Sequence, residues 1–302
     1  MVEKILFSFI NLVVGGVMYG LLLNGIGRKI TARMQNRRGP TIFQNFLDVW
    51  KLFRKKTVIS HGVMFYLAPV FRFIGGAGVF LLLPIVAGSR YFSNFSFNAD
   101  LLVVLYFMFL GCLGMALGAG ESGHPHSAIA VTRGLSQMFA IELPFIIAVV
   151  VIMVSDNTTT ILKIVEAQRG SILHWHIFTH PFATVAALIA FLGMMMHSPF
   201  DVVLAPQEIA VGPPTEFNST LLSFMFTGRS VFAVAKYLLF MNLFLGGASN
   251  ILDAFIKTFA LFLLPLITGN LFPRFRLEQS VTFFLKYPTV IGIVDLIRIM
   301  VR

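Results

Sequence analysis

Three carboxylates and four prolines share one stretch of eighteen residues. Asp201, Glu208 and Glu216 are interspersed with Pro199, Pro206, Pro213 and Pro214. The surrounding run, FLGMMMHSPFDVVLAPQEIAVGPPTEFNSTLLSFMF over 191–226, follows an apolar segment without settling into another. Each proline lacks a donor and clashes with the preceding helical turn, and Gly212 weakens a helix further. Irregular, acidic backbone beside membrane spans survives only where protein shields it or where it lines a wet cavity. The stretch therefore predicts a functional polar site at the membrane boundary.

A second group lies inside apolar runs: Glu142, Lys236 and Lys257. One ionised group near mid-membrane costs about 3 kcal/mol on insertion scales. Three such costs sum to roughly 9 kcal/mol, comparable with the whole stability of a typical domain. These groups must be paired, hydrated or neutral. One reading is a static salt bridge between helices. The other is a chain of titratable groups that passes protons or responds to charge between the acidic loop and the bundle. Burial brings acids and amines toward the range where proton exchange is useful.

The elements that must position these residues follow from composition. Of 302 residues, 57% are hydrophobic and 12% charged, with mean hydropathy +0.85. Soluble domains carry about 25% charged residues. Apolar runs fall at roughly 5–26, 64–87, 100–119, 136–154, 181–197, 230–248, 250–270 and 280–300, each near the ~20 residues that cross a bilayer. The expected fold is an all-α integral membrane protein of about eight transmembrane helices, a single polytopic domain over 1–302. The first run lacks a small-residue cleavage motif and reads as a retained span. The single Cys112 excludes internal disulfides and cysteine-held clusters, and no nucleotide-binding glycine motif occurs. Membrane asymmetry accounts for the net charge of +10 without invoking nucleic acid. Thirteen Lys and Arg fall on the side of the 27–63 loop and six on the other. The positive-inside bias predicts a plasma-membrane protein with basic loops cytoplasmic and termini outside.

Within 27–63, residues 42–56 (IFQNFLDVWKLFRKK) place Phe43, Phe46, Leu47, Trp50 and Phe53 on one helical face and Gln44, Asp48, Lys51 and Lys55 on the other. That pattern predicts a helix along the interface, either a lipid anchor or a platform for a soluble partner. The cytoplasmic loop 198–229 carries the three acids. Glu121, His124 and His126 resemble metal ligands by type, but Gly123 and Pro125 break the helix that would align them, so a polar loop lining is expected. The outer loop 155–180, with Asp156, Glu166, His174, His176 and His180, reads as exposed and interfacial, with no ligand assigned.

The segment GRKITARMQNRRGPTIFQNFLDVWKLFRKK resembles the first cytoplasmic loop of subunit 1 of respiratory complex I and its relatives in energy-converting hydrogenases. The correspondence continues through TRGLSQMFAIELPF, SPFDVVLAPQEIAVGPPTEFN and FPRFRLE, in the same order and over most of the chain. It implies a membrane subunit beneath hydrogenase-like large and small subunits and iron–sulfur subunits, beside antiporter-like membrane subunits. Iron–sulfur clusters and nickel–iron would belong to those partners and none to this chain. By position, Arg37, Arg38, Asp48 and Lys51 match the loop that holds the peripheral arm; Arg274 and Arg276 face headgroups or a cytosolic partner. Arg133, Glu142, Asp201, Glu208 and Glu216 match a chamber and acidic path, with Glu121 as a further lining residue. Complex I has acids where this chain has Arg28, Leu204, Pro206 and Lys236, and NRRGP and GPPTE are closer to the hydrogenase branch.

Those departures favour a ferredoxin-linked membrane-bound hydrogenase or archaeal sulfur reductase. Its membrane subunit would have no active site, and Glu142, Lys236 and Lys257 would extend the path from the loop acids. Two alternatives stand beside it. One is the quinone-chamber subunit of a complex I-type NADH dehydrogenase. The other is a stand-alone secondary transporter, which would carry an inverted repeat with paired broken helices.

Overall fold

With no water in the hydrocarbon core, a chain must satisfy its own backbone polar groups, and helices do so locally. In the computed structural model the described residues are 2–58, 61–204, 206–209 and 212–301. Met1, Ile59, Ser60, Ala205, Ala210, Val211 and Arg302 lie outside them, among them part of each of the predicted loops 27–63 and 198–229. Helix α1 (Val2–Asn11) passes through a π-helical segment (Leu12–Met18) into α2 (Tyr19–Met34). There follow α3 (Gln44–Phe53), α4 (Val63–Leu82), α5 (Asp100–Glu121), α6 (Pro125–Ser155), α7 (Ile161–Ala167), α8 (His176–Thr179) and α9 (Pro181–Met194). The chain ends with α10 (Pro206–Ile209), α11 (Ser219–Phe244), α12 (Ile251–Leu271), α13 (Leu277–Lys286) and α14 (Pro288–Met300).

Among the described residues, seven helical stretches are long and apolar enough to cross a membrane: Glu3–Met34, Val63–Leu82, Asp100–Glu121, Pro125–Ser155, Ser219–Phe244, Ile251–Leu271 and Leu277–Met300. The eighth, α9, is apolar but has fourteen residues. At 1.5 Å per residue it spans about 21 Å, short of the ~30 Å hydrocarbon core. The all-helical expectation of about eight spans agrees with this architecture. The acidic loop is shorter than expected because α11 begins at Ser219, and α10 is a single turn within it.

Helix α11 is the most buried of the seven and packs against α2, α3, α4, α9 and α12. Small residues let α4 and α5 approach closely. A Cβ on Gly75 would lie 2.5 Å from the Cα of Gly111, and one on Gly114 would lie 2.3 Å from the Cβ of Phe71. Gly114→Leu should destabilise the bundle by about 1–3 kcal/mol, the cost of overpacking a filled site. A lowered melting temperature in detergent would check this.

Helix α3 packs against α2 and the start of α11. Its buried Asn45 donates to the Leu21 carbonyl at 3.3 Å, and Ser223 donates to the Val49 carbonyl at 3.1 Å. Phe43 and Trp50 are 63% and 61% exposed, and Leu47 and Phe53 share that outer face. Uncovered aromatic surface of this kind suits a helix bedded in the interface. The acidic loop is held by aromatic packing: Phe200 contacts Phe275, Phe283 and Phe284. Phe275 also donates its backbone N–H to the Pro199 carbonyl at 2.9 Å.

Candidate functional site

Each acid of the broken loop meets a basic group from elsewhere in the chain. Asp201 accepts from Arg274 at 2.9 Å. Glu208, on α10, accepts from Arg133 on α6. Glu216 lies 2.8 Å from His61 Nε2, just before α4. Three contacts thus staple the loop to α6 and to the segments leading into α13 and α4. Glu208 is half exposed, whereas the facing atoms of the Glu216–His61 pair and one oxygen of Asp201 are buried. Of the residues assigned to a chamber and acidic path, Arg133, Asp201, Glu208 and Glu216 lie at this loop, and Glu142 lies within α6.

Burial pushes the Asp201 carboxyl above the ordinary range, against the pull of Arg274 and Arg229. The hydrogen bond and charge of Arg133 hold Glu208 below it. Acidification therefore protonates Asp201 first. The stabilisation from Glu208 is present above its unfolded value and is lost as pH falls through the depressed folded value. Arg133→Gln should return the Glu208 titration toward the usual carboxylate range. An infrared pH titration, with Glu208→Gln to assign the band, would measure it.

Glu142 and Lys236 line one cavity of about 30 Å³ with Cys112, Gln137 and Met196. Lys236 is 6% exposed and donates to the Met194 carbonyl at 2.7 Å, its ammonium 4.5 Å from the Phe232 ring centre. No ion pair closes between Lys236 and Glu142. Gln137 donates through Nε2 to the Phe200 carbonyl at 2.6 Å, which fixes the amide orientation; Oε1 has no partner among the described residues. A buried acceptor left unpaired costs about 1–3 kcal/mol, and this cavity has room for a water to satisfy it.

That cavity shares wall residues with its neighbours. Cys112, Met138, Met196 and Val203 also border a second space of about 30 Å³, whose Met115 and Met196 border a third of about 40 Å³. The third ends at Arg72 and Arg229, and Arg229 also faces a large cleft of about 590 Å³. Met196 walls all three small cavities and holds φ +53°. A side chain in that region costs on the order of 1–3 kcal/mol, and such strain clusters at functional positions.

The cleft is bordered by Arg28, Arg37, Arg38, Asp48, His197 and Arg229. Arg28 pairs with Asp48 at 3.2 Å, and Gln44 donates to the same carboxylate at 2.8 Å. Arg37 donates to Gln35. Lys51 and Arg276 are exposed, Arg276 as the residue preceding α13. Glu121 stands apart from the cleft and accepts from the Phe65 backbone N–H at 2.6 Å.

Lys257 is not brought to this group. It lies past the opposite end of α11, pairing with Asp253 at 3.1 Å and donating to the Leu245 and Gly247 carbonyls. The outer loop also departs from its expectation as uniformly exposed. His176 is buried, its Nδ1 2.7 Å from the Leu243 carbonyl and its Nε2 3.2 Å from Asp156. Short helices fold the loop back onto α11, which periodicity in so short a segment does not reveal. Sequence reading also passed over Arg72, 5% exposed, which donates to the Gly111 carbonyl at 3.2 Å and lies over Phe232. A lone arginine within an apolar run was the available signal. Among the described residues no group of three or more His, Cys, Asp or Glu is arranged to hold a metal.

Comparison with known proteins places this geometry. The model of the family described as NADH dehydrogenase matches residues 7–300. An NADH-quinone oxidoreductase subunit of Protochlamydia amoebophila (strain UWE25) is 28% identical over 291 residues, 89% of this chain and 88% of that protein. The same-named protein of Bacillus thuringiensis (strain Al Hakam) is 28% identical over 290 residues, covering 90% and 84%. Among solved structures, a chain of the membrane-bound sulfane sulfur reductase, an archaeal respiratory membrane complex, superposes with a TM-score of 0.91 at 28% identity, covering 98% of this chain and 99% of its own. A match over nearly the whole length, with a shared helical fold, makes this chain a member of the NADH dehydrogenase family of complex I-like membrane subunits.

Proposed function

We propose that this chain is the coupling subunit of a ferredoxin-linked respiratory complex, a sulfur reductase or membrane-bound hydrogenase. It docks a soluble redox arm and relays the arm's electron transfer toward antiporter-like subunits. The observation that carries the reading is the succession of cavities from the basic cleft, past Arg229 and Arg72, to Glu142 and Lys236. A charge shift at the loop acids would change the field along that succession, and Glu142 and Lys236 are placed to answer by exchanging a proton or reorienting. Arg37, Arg38, Lys51 and Arg276 lie on the basic side and suit an acidic partner surface. The positive-inside bias puts that side in the cytoplasm and the termini outside. The chain acts as a single membrane domain, and its iron–sulfur partners hold the redox centres.

The likeness to the archaeal sulfane sulfur reductase chain supports this branch. The NADH-quinone oxidoreductase relatives favour a second reading, the quinone-chamber subunit of an NADH dehydrogenase. Purification from native membranes under mild detergent discriminates. Hydrogenase-like large and small subunits, cluster-bearing proteins and ferredoxin-dependent turnover are the expected result. Quinone-dependent NADH oxidation would establish the second reading, and a chain that purifies alone as a transporter would defeat both.

A further inference from the structure

One histidine joins the C-terminal ends of α6 and α11. His176 begins α8 and is 3% exposed. Its Nδ1 lies 2.7 Å from the Leu243 carbonyl in the last turn of α11, and its Nε2 lies 3.2 Å from Asp156 Oδ2 at the end of α6. A carbonyl only accepts, so Nδ1 carries the hydrogen there. Nε2 of a neutral ring would then turn a lone pair toward the carboxylate. That oxygen is buried and has no other partner among the described residues. The contact closes only with a proton between the two atoms, held on Nε2 or on the carboxyl. The partial negative charge at a helix C-terminus also favours a cation beside Leu243.

The surrounding groups leave that proton to this pair. From α7, Gln168 accepts the His176 backbone N–H at 3.2 Å, while Lys163 and Glu166 face outward. His180 follows α8, its Nε2 2.9 Å from Ser155 Oγ and its ring centre 5.6 Å from that of His176. Burial, then the charge of His176, hold the His180 ring below the usual histidine range. On α14, buried Asp295 accepts the Ala183 backbone N–H at 2.9 Å and lies 3.4 Å from Arg298. On α12, Lys257 lies over the Trp175 ring and pairs with Asp253.

We propose that His176 and Asp156 form a proton-operated clasp between the ends of α6 and α11. With the proton bound, Asp156 is drawn onto His176, and the loop 155–180 is fixed against α11. With the proton lost, a carboxylate faces a lone pair, the contact opens, and α8 and the turn after α6 loosen. The proton enters by the edge of Asp156, whose side chain is 10% exposed. The closed form binds the extra proton, so it is favoured at low pH and lost as pH rises. The clasp ties together the two helices that carry Glu142 and Lys236, and it makes their common end answer to the pH on that face.

The test follows backbone amide exchange by mass spectrometry in the intact complex, purified in mild detergent, from about pH 6 to about pH 9. Rates are corrected for the intrinsic pH dependence of amide exchange. Exchange in peptides covering 155–180 should rise about tenfold across that range. Asp156→Asn should abolish the rise and keep the segment protected throughout, because an amide N–H donates to the Nε2 lone pair without a titrating proton. His176→Gln should also abolish the rise, and it keeps the test valid if Asp156→Asn fails to assemble. His180→Gln should retain it. A wild type with no pH dependence, or a rise that survives Asp156→Asn or His176→Gln, would overturn the proposal. So would a rise that vanishes in His180→Gln, which would move the titrating group to that ring. These readouts need no turnover, so they stand apart from the test of ferredoxin-linked coupling.

Discussion

Glu142→Gln should reduce ion translocation at least tenfold while the soluble arm continues to turn over artificial electron donors. Glutamine keeps the shape of the side chain, so the cavity with Gln137, Cys112 and Lys236 stays filled and the α6–α9 packing is undisturbed. What disappears is the only carboxylate bordering that cavity among the described residues. A tenfold loss corresponds to about 1.4 kcal/mol at the rate-limiting step, modest beside the cost of moving charge through a low-dielectric site. Proteoliposomes report pumping, and dye-linked assays report the arm. Unimpaired pumping in Glu142→Gln and in the parallel Glu208→Gln variant would refute the relay.

Lys236→Met should give a loss of similar size, and the double variant with Glu142→Gln should be no worse than either single one. Methionine preserves most of the side-chain length but removes the ammonium that donates to the Met194 carbonyl and lies over Phe232. If Lys236 and Glu142 act as one unit, removing either disables it, and the effects are non-additive, as expected for groups sharing a site. Additive losses would mean that the two serve separate paths. A static salt bridge predicts something else: each single variant would melt at lower temperature, and pumping would persist. The geometry already argues against it, because the two line one cavity without pairing.

The loop acids present a subtler case. Asp201, Glu208 and Glu216 are each paired, which is what a purely structural loop would require. Their partners come from three different segments, and Glu208 is half exposed to solvent. Protonating Asp201 weakens its hold on Arg274, while the Phe275–Pro199 hydrogen bond and the packing of Phe200 on Phe275 still join the segment to the loop.

Much of this was legible in the residues themselves. Apolar runs near bilayer length must become helices because lipid offers the backbone no partner. Four prolines and Gly212, whose φ is +73°, dictate an irregular loop. The alternation of aromatic and polar faces over 42–56 foretold an amphipathic helix, and α3 turns Phe43, Leu47 and Trp50 outward. These are local properties, set by periodicity and backbone chemistry within one segment.

The pairing of charges was not local and could not be read that way. Arg133 meets Glu208 across seventy-five positions, and Arg274 meets Asp201 across seventy-three. Lys236 and Lys257 look alike in sequence, each a lysine within an apolar run. Only the packing sends one to the cavity of Glu142 and the other to carbonyls beyond the far end of α11. His176 reads as a loop residue until α8 folds it against Leu243. Which helices sit side by side decides where charge can be shared, and that choice depends on small residues such as Gly75, Gly111 and Gly114 and the approach they permit. The sequence by itself determined that ionisable groups would stand among apolar helices; the tertiary structure decided which of them share one space, because electrostatic coupling depends on distance through the fold.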